Sequence, residues 1–150
     1  MVPWPPLLDT GICLAYARNG PLGEWIETTY QLTSRPEKPL ISVVTHGELL
    51  ALSMKFGWGE GKIEQLNRLL EQVAIFDIND EGVLRSYAET DFYSASLNPS
   101  VRMQKNDLWI AATARALNVT LVTTDKVFDH LYPGWIDRIY VDERVVKPQP

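Results

Sequence analysis

A chain of 150 residues has the length of one ordinary domain, enough to bury a core and too short to divide into two. Its composition, 45% hydrophobic and 22% charged, is globular; without an apolar run of about eighteen residues or a charged-then-apolar leader, the expectation is a cytoplasmic protein with no membrane span. Cys13 is the single cysteine, which excludes an intrachain disulfide and a Cys-rich zinc site and leaves core packing as its reading. The net charge of −5 provides no general surplus of cations for holding phosphates.

In chain order, the first expected strand is Leu7 to Leu8. Pro5 and Pro6 stand just before it and cannot donate in a sheet ladder, so this strand is short or begins late. Asp9 and a helical pattern through Ile12, Leu14 and Ala15 follow. A strand from Leu40 to Val44 leads through Thr45 into a helix with Leu49, Leu52 and Phe56 on one face. Gly57 to Gly61 reads as a turn, followed by a helix marked by Ile63, Leu66, Leu70 and Val73 and a strand from Val73 to Ile78. Leu84, Tyr87, Ala88, Phe92 and Ala95 mark a third helix face, which Asn98 and Pro99 bring to an end. Arg102 to Asn106 form a basic, polar approach to Asp107 at the head of an Ala-rich helix carrying Ile110, Ala111, Ala114 and Leu117. A strand from Thr120 to Thr123, a short helix through Val127 and Phe128, a strand from Arg138 to Val141 and a frayed tail, Lys147 to Pro150, complete the chain. Strands alternating with helices predict an α/β fold of βαβ units on a mostly parallel sheet of about five strands, one domain over residues 1–150 with its core in 7–141.

Asp9, Glu48, Asp107 and Asp125 each stand where an apolar strand ends or an apolar helix begins. In an open α/β sheet such positions converge on the crevice beyond the carboxyl ends of the strands. Helix N-capping accounts for Asp9, Asp107 or Asp125 taken singly, and a first-turn carboxylate favoured by the helix dipole accounts for Glu48. Independent caps would use Ser, Thr and Asn as often, so four acids in the four expected places favour a shared role. Carboxylates without His or Cys suit Mg²⁺ or Mn²⁺, ions that activate water and neutralise a phosphoryl group. Setting these four acids aside leaves an excess of one negative charge, so the acidity is concentrated in the candidate site.

LLDTG around Asp9, ISVVTHGELLAL around Glu48, KNDLWIAATARAL around Asp107 and LVTTD around Asp125 resemble, in order and spacing, the four motifs of PIN-domain ribonucleases, especially the VapC-like toxin branch. The resemblance runs from Leu7 to Val141. It implies a three-layer α/β/α sandwich and Mg²⁺- or Mn²⁺-dependent endonucleolytic cleavage of single-stranded RNA. The acidic constellation corresponds to Asp9, Glu48, Asp107 and Asp125, with Thr123 at the family's frequent Thr or Ser position and Asp129 as the additional acid of some members or a surface residue. Thr10 has a hydroxyl placed to orient a ligand or to cap. Arg18, Arg102, Lys105 and Lys126 are the basic side chains available for RNA, each equally a solvated charge. The same resemblance implies a homodimer and a small antitoxin partner that inserts a basic side chain into the acidic crevice.

Three other readings compete. Asp9, Thr10 and Gly11 spell the DTG of homodimeric aspartic proteases, which are all-β, against the helical pattern here. His46, Gly47 and Glu48 imitate the H-x-E of zinc deaminases without the required cysteines, leaving His46 and His130 as polar surface groups. A catalytically silent interaction module would use Trp25, Trp58, Trp109 or Trp135 as contact surface, though most are expected in the core.

Overall fold

The computed structural model describes residues 1–146; the expected frayed tail lies outside them. Five short strands, β1 (Leu7–Leu8), β2 (Leu40–Ser42), β3 (Ala74–Phe76), β4 (Leu121–Thr123) and β5 (Arg138–Tyr140), form one sheet in the order β3-β2-β1-β4-β5. Every pairing is parallel, with Leu7 opposite both Leu40 and Leu121, and Thr123 opposite Tyr140. β1 spans two residues, as the prolines require, and the Pro6 carbonyl still accepts a hydrogen bond from Leu40 N at 2.8 Å.

Alternation along the strands divides the core in two. Leu8, Ile41 and Val122 face the cluster built on helices α1 (Thr10–Arg18), α2 (Pro21–Tyr30), α3 (Val43–Lys55) and α4 (Glu60–Glu71), with Cys13 fully buried in it. Leu7 and Leu121 face the opposite cluster, where α6 (Lys105–Leu117) and the 3-10 helix Lys126–Leu131 supply Leu108, Ile110, Ala111, Phe128 and Leu131. Helix α5 (Glu81–Ser96) lies along α6. The result is the expected three-layer arrangement, and it leaves no place for an all-β protease.

The structure corrects several local expectations. β2 stops at Ser42, whose hydroxyl accepts from Val44 N at 3.1 Å and caps α3, so Val43 and Val44 are helical. Glu48 consequently lies in the second turn of α3, past the orphan amides of the first. Lys105 and Asn106 belong to α6, and helix α2, with Pro21 at its first position, was not anticipated. On α5 the expected inner face is mostly outside: Leu84, Ala88, Phe92 and Ala95 are exposed, whereas Val83, Ser86, Thr90 and Ser94 are buried. Two of the three buried hydroxyls have partners outside α5, Thr90 accepting from Trp135 Nε1 at 2.8 Å and Ser94 meeting His130 Nε2 at 2.8 Å, whereas Ser86 has none among the described residues. His130 is thus a packed group and not a free surface histidine.

Candidate active site

Strand order reverses between β1 and β4, and an open parallel sheet forms its crevice at such a switch point. Asp9 leaves the end of β1 and Asp125 follows the end of β4, so these two flank the switch. α6 precedes β4 and runs back across the sheet, which returns its first turn, with Asp107, to the same carboxyl edge. Glu48 enters from α3, the helix that follows β2.

Asp9 is 5% exposed and caps α1, its Oδ1 accepting from Ile12 N at 3.1 Å. Its Oδ2 accepts from the Thr123 hydroxyl, and Thr123 Oγ1 in turn accepts from Asp125 N at 2.9 Å. One buried threonine therefore bridges the two acids at the switch. Burial pushes the Asp9 carboxyl up to about 6, against the donors from Thr123 and Ile12, and the charge of Asp125 adds to the rise. Asp125 caps the following 3-10 helix through Val127 N at 3.0 Å.

Asp107 does not cap its helix. Gln104 holds that position without a side-chain bond, and Asp107 sits at the third residue of α6. Its carboxyl is also raised to about 6, first by desolvation and then by the charges of Asp125 and Glu48, with no hydrogen bond opposing the rise. Glu48 Oε1 accepts from Thr10 Oγ1 at 2.7 Å, and the Thr10 hydroxyl also lies 3.2 Å from that of the buried Thr45. Thr10 thus orients Glu48 and does not cap α1. Thr45, a residue the sequence reading did not select, braces that contact.

The four acids are accordingly linked through repulsion and shared hydroxyls. Among the described residues no three acid, His or Cys side chains close into a ready-made metal cage. An oxygen-only donor set without a closed cage suits an ion that takes one or two direct carboxylates and completes its octahedron with water, the habit of Mg²⁺.

The remaining candidates separate. Asp129 Oδ1 is ion-paired with Arg138 NH1 at 3.0 Å, which turns it toward β5. Arg102 and Lys105 line a cleft of about 600 Å³ beside the first turn of α6, with Tyr87 and Asp91 on its other wall. Lys126 follows Asp125 directly, its ammonium 5.9 Å from the Tyr140 ring centre. Arg18 ends α1, roughly 13 Å along the helix axis from Asp9 at 1.5 Å per residue, and rests over Phe56 at 5.5 Å.

A parallel α/β domain with carboxylates gathered at its switch point defines the class. A PIN domain family model matches residues 7–132, and the chain belongs to that family, whose general activity is nucleolytic. Its fold is that of solved VapBC toxin–antitoxin structures. It resembles a chain of VapBC2 from Rickettsia felis bound to a promoter DNA fragment, at 23% identity over 89% of this chain and 96% of that one, with a TM-score of 0.74. VapBC-5 from Mycobacterium tuberculosis gives 22% identity over 93% and 100% of the two chains and a TM-score of 0.67. VapBC-1 from nontypeable Haemophilus influenzae gives 25% identity over 89% and 96%, with a TM-score of 0.63. No curated protein matches the sequence.

Proposed function

We propose that this chain is a Mg²⁺- or Mn²⁺-dependent endoribonuclease cleaving single-stranded RNA, and the toxin of a toxin–antitoxin pair. The observation that carries the reading is the gathering of Asp9, Asp107 and Asp125 at the switch point of the sheet: burial first, and the charge of Asp125 second, raise both Asp9 and Asp107 to about 6. Such an arrangement is unfavourable alone and favourable around a cation. Asp9, Glu48, Asp107 and Asp125 are the proposed ligands and catalytic acids, oriented by Thr123 and Thr10. Asp129 is the weaker ligand candidate, because Arg138 already holds it.

When bound, a divalent ion makes a coordinated water acidic enough to attack and offsets charge on the phosphoryl oxygens. The chain's own part is positional. Thr123 fixes the Asp9 and Asp125 segments relative to each other, and Thr10 fixes Glu48. Lys105, two residues before Asp107, Lys126, next to Asp125, and Arg102 in the cleft beside α6 are the proposed holders of flanking phosphates, which matters in a chain of net charge −5.

Two partners accompany this reading. An antitoxin segment presenting a basic side chain would satisfy the carboxylates in place of the ion. A second copy of the chain would cover the exposed apolar stripe of α5. The VapBC likeness of the fold supports the first of these.

The test is cleavage of single-stranded RNA with Mn²⁺, beside thermal melts of wild type, Asp107→Asn and Asp125→Asn. Both variants should stay folded, melt at or above the metal-free wild type and lose at least 100-fold in cleavage rate, a loss in the range typical for removing one group that stabilises transition-state charge. If Mn²⁺ stabilises wild type no more than the variants and supports no cleavage, the chain is instead a silent interaction module.

A further inference from the structure

We propose that the outer edge of β5 is a stacking platform for the single-stranded RNA whose phosphate lies at the acids, built from Tyr132 and Tyr140 with Lys126 at its inner end. This rests on the nuclease reading above and extends it to residues outside the acidic set.

The row can be followed by distance. Lys126, next to Asp125, holds its ammonium 5.9 Å from the Tyr140 ring centre. The Arg138 guanidinium lies 5.7 Å from the same ring and 4.9 Å from that of Tyr132. Cation and aromatic therefore alternate outward from the catalytic edge. Tyr140 pairs in register with Thr123, the threonine that bridges Asp9 and Asp125, which fixes the starting level of the row. β5 is an outer strand of the sheet, so no further strand flanks it, and Tyr132 is 43% exposed.

Arg138 has the character of a strut. Its side chain is only 13% exposed, and Asp129 fixes one end of it at 3.0 Å. Rings braced in this way lose little freedom when a base stacks on them. Lys126 is the member left for phosphate, since the nearby Asp142 is held by both Arg144 nitrogens at 3.0 and 2.7 Å. Alternating bases and phosphates match alternating rings and cations, and aromatic stacking accepts any base.

The test measures binding apart from chemistry. Fluorescence anisotropy of a labelled single-stranded 12-nucleotide RNA is read in an Asp107→Asn background, with Tyr132→Ala, Tyr140→Leu, Tyr132→Phe and Lys126→Gln added singly. Loss of either ring should weaken binding about 5- to 100-fold whichever homopolymer is used, while Tyr132→Phe stays within about twofold. Lys126→Gln should lower the salt slope of binding by about one. Where a ring-removing variant fails to fold, quenching of a 2-aminopurine base in RNA bound by the folded parent replaces it, and unquenched emission throughout the strand overturns the platform. Unchanged affinity in folded ring variants, with wild type still cleaving RNA, overturns the platform alone. Absence of both binding and cleavage in wild type overturns the nuclease reading with it. Ring variants that change the mass in solution or the binding of an extended peptide, and not RNA affinity, assign the edge to a protein partner and overturn the platform.

Discussion

At the scale of single residues, Asp9 and Asp107 make stability depend on pH in an unusual direction. A carboxyl whose folded value is raised from 3.8 to about 6 binds its proton more tightly in the folded state. Its penalty is therefore complete above about pH 6, diminishes as pH falls toward 4, and is absent below the unfolded value. For buried Asp9 this is on the order of 3 kcal/mol at pH 7, an upper bound, while half-exposed Asp107 adds less after screening. His130 acts oppositely, since burial lowers its value, so Asp107→Asn, which keeps both His130 and Asp9, is the reference that isolates the Asp107 carboxyl. Metal reverses the dependence, because only the charged carboxylates ligate. The expected outcome is a metal-free melting temperature that rises relative to Asp107→Asn as pH drops from 7.5 to 5.5. Over the same interval the gain from Mn²⁺ should shrink by at least half. Differential scanning fluorimetry across that range is the check, and a Mn²⁺ gain independent of pH would contradict the assignment of these acids as ligands.

At the scale of elements, packing depends on what small residues permit. A Cβ at Gly23 would lie 2.6 Å from the Ala15 carbonyl oxygen, so α2 rests directly on the backbone of α1. That neighbour is main chain and cannot rotate aside. Gly23→Ala should cost about 1–3 kcal/mol by forcing the helices apart, a fall of roughly 3–10 °C in melting temperature for a chain of this size. Unchanged melting would mean that α1 and α2 adjust more freely than their contact indicates. At Gly11 the neighbour is only the Thr124 hydroxyl, which can turn away. Elements also show where sequence patterns mislead. Apolar spacing on α5 selected Leu84, Ala88, Phe92 and Ala95, yet the buried face carries Ser86, Thr90 and Ser94 because Trp135 and His130 supply distant partners for two of those hydroxyls. Val43 and Val44 read as strand from their β-branching, and the Ser42 cap overrides that preference. Leu22, Trp25 and Ile26 at helical spacing behind Pro21 were a usable signal for α2 that went unread.

For the whole molecule, the apolar stripe on α5 is one of the features that the isolated chain leaves exposed. Leu84 is 48% and Phe92 76% exposed on one face of α5, and Leu50, Met54 and Phe56 form a second exposed apolar group on and just beyond α3. Apolar surface of this kind favours a contact, and the homodimer proposed above would use it. Phe92→Glu should halve the mass measured by light scattering and leave the melting transition cooperative, because this side chain supports nothing within the chain. Identical masses for variant and wild type would remove α5 from the interface.

Much of the architecture was legible in the sequence because it depends on local chemistry: apolar runs and their spacing define five of the six α-helices and all five strands, and the prolines before Asp9 shorten β1 as expected. The four acids stood out for the same reason, Asp9 and Asp125 just beyond the ends of β1 and β4, Asp107 in the first turn of α6 and Glu48 in the second turn of α3. Their coupling was not, since Thr123 joins Asp9 to Asp125 across 114 positions of sequence and Thr10 reaches Glu48 across 38. Nor could the sequence reveal that Asp129 belongs to Arg138 and that Tyr132, Arg138 and Tyr140 align. Periodicity reports which side of an element is apolar. Distances between charges, and the burial that sets their protonation, exist only after the strands are ordered around β1 and β4.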